Sequence, residues 1–422
     1  IIMVAIKRSS TSADQDLHRA AFSIPVSHKK IDEINAIKNN APELEVFNLS
    51  WVNDARYFSD SAWELLGRYV AENNILHEVN FSSCAMTNSK MSALFKGLTG
   101  SRSLKELDLS ENEFGLGGVK AMISFLKECP HLSELDLDGN DEMGTEGFEL
   151  LAASLHGGAI ERLRVERCNV ENIMALERYT LPKLRNLDLG DNGFTRIPSF
   201  DKFTKLQNLY LDRNDIDQVG YQAVANLLQK KGSSLTLLSL CSTGMRDQEA
   251  KIIADSLKSN TELKSLDMRG CNSFSQGGLL SFLKLLNDIS SIDNTFNSNN
   301  AITNLGLPKL ARVDYPQVVR YINFATNMNR MHKGNAAAAG RAKVIGSQLN
   351  TRKRIKLYEL QGIKYGSTHV FSQIETHLLP NVLALVGMKH GMNELYRMVI
   401  ATSPDLMSLR DENDGMQVDI LG

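Results

Sequence analysis

The stretch LKELDLSEN at residues 104–112 returns as LSELDLDGN at 132–140, displaced by 28 residues. Repetition at a fixed spacing of this size marks a solenoid, whose units bury their apolar residues only by stacking on one another. Strand alternation then places Leu104, Leu107 and Leu109 in a core and Glu106, Asp108 and Ser110 on the outer face of a sheet. Counted by the first apolar position, repeats begin at Leu44, Leu76, Leu104, Leu132, Ile160, Leu184, Leu206, Leu235 and Leu263, with a degenerate tenth at Ile289. Spacings near 28 residues leave room for a three-turn helix after the strand, as in MISFLKEC, FELLAASLHG and AKIIADSLKSN. The repeats that start at Ile160 and Leu184 are only 24 and 22 residues long. They have room for an extended or 3₁₀ segment, which predicts a flatter patch around residues 160–210.

Both copies of the opening motif fit LxxLxLxxN, and over residues 44 to about 300 the chain resembles the leucine-rich repeat family. Its longer repeats resemble the ribonuclease-inhibitor-like class. The resemblance implies an α/β solenoid, a curved parallel sheet with helices on the convex side. The last motif position carries Asn112, Asn140, Asn192 and Asn214, then Cys84, Cys168 and Cys271, and once Thr243. Each of these side chains can donate a hydrogen bond to carbonyls of the turn leaving the strand, so a ladder of such donors is expected and those cysteines read as structural. Cys241 lies two places before the ladder and should face the concave sheet.

Residues 1–30 read as a tail, and Ile31, Ile34 and Ile37 as a helix capping a solenoid that spans 31–300. From 301 to about 410 the repeat gives way to helical patterns, read as an α-helical C-terminal unit, and 411–422 as a short acidic tail.

A net charge of -2 gives no overall drive toward nucleic acid or anionic membrane, so neither is an expected partner. No run of 18 apolar residues is present, and the apolar part of IIMVAIKRSS is too short for a complete secretion signal. Five cysteines without CxxC spacing argue against a disulfide frame or a zinc site and suit a reducing compartment, cytoplasmic or nuclear. GxxxxGK[ST], HExxH, GxSxG and DFG are all missing and the nine histidines are scattered. No catalysis, cofactor or metal is therefore expected.

The concave face is the first place to expect a protein partner. Glu106, Asp108, Glu134, Asp136 and Asp138 make its centre acidic, and Arg162, Arg164 and Arg167 follow at once. Asp188, Tyr210, Asp212, Asp267 and Arg269 continue the face. A partner with the opposite pattern would be steered and set in register by such a field. Arg164 and Tyr210 are the strongest anchors, because Arg and Tyr are enriched at interface hot spots. The plainer reading is that aspartate is common in the LDLS core of leucine-rich repeats. A second candidate is the basic stretch Arg352, Lys353, Arg354 and Lys356, preceded by Arg341 and Lys343, which more simply makes the solvated face of a helix. Two other functions suit the same fold. One is a GTPase-activating protein similar to the leucine-rich activator of the nuclear-transport GTPase, with Arg56 as the rim arginine. The other is a structural subunit of a large assembly held by the C-terminal helices.

Overall fold

The computed structural model describes residues 28–50, 55–273 and 275–348, together with 357, 360 and 361. The chain divides into two compact units, residues 1–244 and 245–422.

In the first unit α1 (His28–Lys38) precedes eight strands: β1 (Val46–Asn48), β2 (Glu78–Asn80), β3 (Glu106–Asp108), β4 (Glu134–Asp136), β5 (Arg162–Arg164), β6 (Asn186–Asp188), β7 (Asn208–Tyr210) and β8 (Leu237–Ser239). They pair in parallel and in sequence order, with equivalent motif positions opposite each other, such as Glu106 with Glu134 and Leu107 with Leu135. Each middle residue is buried while its two neighbours face the other way, the period-2 pattern of a half-covered sheet. Full helices return the chain after the long repeats: α2 (Asp60–Glu72), α3 (Asn88–Gly97), α4 (Leu116–Glu128), α5 (Gly144–Ser154) and α7 (Gln218–Gln229). The two short repeats give only the four-residue α6 (Ala175–Arg178) and then no helix between β6 and β7, as their length requires.

The starts of the helices are set by side chains that accept from orphan backbone amides: Ser59 from Ala62, Thr87 from Lys90 and Asp217 from Gly220. Helices α2 and α3 cross at Gly67 and Gly97, where a Cβ on either residue would collide with backbone of the other helix. Trp63 of α2 fills the core between Phe58 and Phe81, with ring centroids 5.5 and 5.3 Å away. Helix α1 packs on α2 and buries Ile34 and Ile37, while Ile31 stays half-buried. It covers apolar surface on the first repeat that would otherwise meet water.

The ladder runs along the strand ends. Nδ2 of Asn112 donates to Phe81 O and Leu109 O, that of Asn192 to Val165 O and Leu189 O, and that of Asn214 to Leu189 O and Leu211 O. The thiols of Cys84 and Cys168 make the equivalent bonds to Leu49 O and Leu137 O. Burial pushes both thiols up to about 12, so they stay protonated and unreactive at neutral pH. Cys241 is half-buried, and its amide donates to Asp212.

The second unit carries α8 (Asp247–Ser256), β9 (Ser265–Asp267), α9 (Gln276–Leu286), α10 (Ile292–Asn297), β10 (Asn304–Gly306), α11 (Lys309–Asp314), α12 (Pro316–Met331) and α13 (Ala336–Lys343), which runs into a π-turn at Val344–Gln348. Strands β9 and β10 are parallel, with Leu266 opposite Leu305. The tenth repeat therefore does not begin at Ile289 as a poorly formed turn. Ile289 is buried ahead of the inserted α10, and Ile302 takes the leading apolar position before a regular strand. Buried amides fix the turns around it: Asn299 donates to Leu257 O and Asn260 O, and Asn329 to Asn299 O and Ile302 O.

Lys343 also differs from the solvated basic face expected of it. It is fully buried, and Nζ donates to Asn299 O and Asn300 Oδ1 at 2.8 Å each. No ion pair reaches it among the described residues. Burial lowers its ammonium to about 7. Arg341 is half-buried, whereas Arg352, Lys353, Arg354 and Lys356 lie outside the described residues, as do residues 1–27 and 362–422.

Candidate protein-binding face

The helix-free face of the first unit's sheet is built from rows of equivalent side chains. One row reads Glu78, Glu106, Glu134, Arg162, Asn186, Asn208, and the next Asn80, Asp108, Asp136, Arg164, Asp188, Tyr210. Like charges directly opposite across a strand pair are destabilising. The rows relieve this only at β5, where Arg162 pairs with Glu134 at 2.5 Å and Arg164 with Asp136 at 3.0 Å. Asp108 is held from its own face by Asn80 Nδ2 at 2.6 Å and by Ser110 Oγ at 2.6 Å. A cleft of about 200 Å³ runs over β2–β5, and one of about 520 Å³ opens between Asp138, Arg164, Glu166, Asp188 and Tyr210.

Several carboxylates here are held against their own ionisation. Burial, then the neighbouring Asp136, raises Asp138 well above the usual carboxylate range. Burial likewise raises Asp136, and it lifts Asp188 to about 6 with help from Glu166 and Asp212. The Asp188 proton is bound more tightly in the folded chain than in the unfolded one. Stability is therefore lost as pH rises from about 4 to 6, and the whole penalty is present at pH 7. Asp188→Asn keeps the acceptor for Gly190 N, now at 3.0 Å, and removes the charge. It is expected to raise stability at pH 7 by about 1–2 kcal/mol, and at pH 4 by nothing measurable. Urea unfolding at the two pH values checks this; an equal gain at both would show that charge is not the cause.

The rim above the face has a common geometry. The residue just before each ladder position has left-handed φ: Ser83 (55°), Glu111 (54°), Gly139 (72°), Arg167 (52°), Asp191 (51°), Arg213 (52°) and Ser242 (56°). This turn carries the longer side chains to the edge, where Arg167 pairs with Glu111 and Arg213 with Asp191 and Glu166. Gly139 lies under the first pair, and a Cβ there would press on the Glu111 carboxylate at 2.9 Å.

The structure brings together Glu106, Asp108, Glu134, Asp136, Asp138, Arg162, Arg164, Asp188, Tyr210 and Asp212 on or beside this face. Asp267 and Arg269 belong to the second unit and bind each other, Nε lying 2.9 Å from Oδ2. Sequence reasoning passed over Glu78, Glu166 and Arg213. Glu78 was within reach, since it occupies the same motif position as Glu106. Arg56 is exposed in a 3₁₀ turn at Ala55–Tyr57. Among the described residues no group of His, Cys, Asp or Glu could hold a metal ion, and no helix is long and apolar enough to cross a membrane.

This parallel sheet, its returning helices and its side-chain ladder make the chain a leucine-rich repeat protein. Leucine-rich repeat patterns match at residues 100–122, 128–152 and 182–221. The class is the ribonuclease-inhibitor-like one. The ribonuclease inhibitor of Sus scrofa is 25% identical over 241 residues, covering 47% of this chain and 52% of that protein. The human capping protein, Arp2/3 and myosin-I linker protein 3 is 26% identical over 235 residues, which cover 53% of this chain and 15% of the relative. The chain thus spans about half of the first relative and a small part of the second. Among solved structures, a tropomodulin C-terminal domain of Caenorhabditis elegans is similar at TM-score 0.30 and 14% identity, covering 35% of this chain and 87% of that one. The actin-binding site 2 of leiomodin-1 is similar at TM-score 0.29 and 17% identity, covering 33% and 79%.

Proposed function

We propose that the chain is a non-catalytic protein-interaction scaffold that holds a protein partner on the open face and rim of its leucine-rich sheet. The observation that carries this reading is a sheet face that the described residues of the first unit leave uncovered, on which half-buried carboxylates are kept at a cost in stability. A surface with no task would be expected to lose them. Leucine-rich proteins of the ribonuclease-inhibitor-like class are generally binding proteins, and one relative is named for inhibiting a ribonuclease, another for linking capping protein, Arp2/3 and myosin-I. Arg164 and Tyr210 are the anchors of the face, because Arg and Tyr are enriched at interface hot spots and the Tyr210 ring presents a broad surface at low entropic cost. The five free thiols favour a reducing compartment, cytoplasmic or nuclear, for such a scaffold.

The test is capture of partners from the native source by the full chain and by an Arg164→Glu, Tyr210→Ala double variant whose fold is checked by circular dichroism. Loss of a partner by the double variant is expected. Retention of every partner would remove the face from the reading.

A further inference from the structure

The acidic rows of the open face have a spacing as well as a sign. Glu78, Glu106 and Glu134 stand in register on three adjacent strands, with Asp108 and Asp136 beside them. Arg162 and Arg164 answer Glu134 and Asp136, whereas among the described residues no ion pair reaches Glu78, Glu106 or Asp108. All of them line the cleft of about 200 Å³. Adjacent strands lie about 4.8 Å apart, and an α-helix rises about 5.4 Å per turn. A helix laid across the strands therefore offers one side chain to each strand and drifts only about 1 Å from β2 to β4. An extended chain repeats its face every 6.7 Å or so and drifts about 4 Å over the same distance.

Resting on the scaffold reading above, we propose that the β2–β4 part of the face receives an α-helix of a protein partner, laid across the strands with cationic side chains on successive turns over Glu78 and Glu106. The next turn lies over β4, where Glu134 and Asp136 are already paired with Arg162 and Arg164, so a further cation there would be repelled. The pattern recognised is two basic turns followed by a turn without a base. Opposite charges at these positions set both the direction of the helix and its register.

The probes are two synthetic alanine-rich helical peptides of identical composition. One carries lysines on one face over two successive turns and glutamine on the third; the other has the same lysines spread around the helix. Fluorescence anisotropy against the full chain at low ionic strength is expected to give at least tenfold tighter binding of the aligned peptide. Glu78→Gln with Glu106→Gln should abolish that preference. Glu78→Lys with Glu106→Lys should transfer it to a peptide with glutamates in place of the lysines. Equal binding of the aligned and scattered peptides, or equal competition by spermine at matched charge, would overturn the helix proposal. Capture from the native source separates this failure from that of the scaffold reading. A partner lost by the Arg164→Glu, Tyr210→Ala variant but kept by Glu78→Gln, Glu106→Gln overturns the acidic-row proposal and leaves the scaffold standing. A partner kept by both variants overturns both.

Discussion

Asn192→Ala is expected to destabilise the first unit by about 3–5 kcal/mol, the larger of two effects foreseen on stability. The side chain is almost fully buried and works in both directions. Its Nδ2 donates to Val165 O, Leu189 O and Gly190 O, and its Oδ1 accepts from Cys168 N and Val170 N. Truncation strips Val165 O, Cys168 N and Val170 N of their partner in a buried place, while Leu189 O keeps Asn214 Nδ2 and Gly190 O keeps Arg167 N; each unsatisfied group costs about 1–3 kcal/mol before relaxation. Cys168→Ala removes only the weak thiol bonds to Leu137 O and Glu166 O, together with a small buried volume. It should cost about 1–2 kcal/mol. Urea unfolding followed by circular dichroism measures both, with the midpoint shifting at constant slope. A loss at Asn192 no greater than at Cys168 would mean that the ladder contributes little.

Lys343→Met is expected to stabilise the second unit at pH 7 by about 2–3 kcal/mol, and this gain should fade as the pH is raised toward 10. Lys343 is an ammonium in the interior with two neutral oxygens for company. Its proton is held less tightly in the fold, near pH 7, than in the unfolded chain, where an ordinary lysine titrates above 10. The unfolded state therefore binds more protons between pH 7 and 10, and wild-type stability rises with pH through that window. Below pH 7 the lysine is charged in both states and the full burial penalty is present. Methionine has much the same shape and no charge. Asn299 O keeps its bond from Asn329 Nδ2, so only Asn300 Oδ1 loses a donor outright. Parallel pH series of thermal unfolding for the two proteins decide the matter: curves that stay the same distance apart from pH 6 to 10 would show that Lys343 is not titrating in the fold.

The sequence made the repeat legible because stacking enforces it at every level. Leucines at fixed offsets fill one core, and the length left over decides whether a helix can return the chain. Thus the short repeats at Ile160 and Leu184 are legible as nearly helix-free from their length alone. The tenth repeat was not legible, because α10 lengthens the ninth and moves the next leading position from Ile289 to Ile302, beyond any spacing seen earlier. Lys343 was misread for a related reason. A lysine next to other basic residues looks solvated, and only its three-dimensional neighbours reveal an interior place. The face divides in the same way. Which residues point outward followed from alternation, as for Asp108 and Asp136. That Asp138 and Asp188 resist ionisation depends on desolvation and on charges from neighbouring strands, which no single motif records. The rim pairs Arg167 with Glu111 and Arg213 with Glu166 join alternate repeats and stay invisible until the left-handed turns are seen.

The ladder has a direction. Asn112 serves Phe81 O, Cys84 N and Met86 N, Asn192 serves Val165 O, Cys168 N and Val170 N, and Asn214 serves Leu189 O, Asn192 N and Gly193 N. In every case the later repeat completes the earlier one. A ribosome delivers the earlier one first, so each newly made turn waits, with amides and carbonyl exposed, for about one further repeat of translation before it can close. Folding during synthesis would then trail the emerging chain by one unit, and a slow codon placed just after a repeat would prolong exposure of the turn behind it.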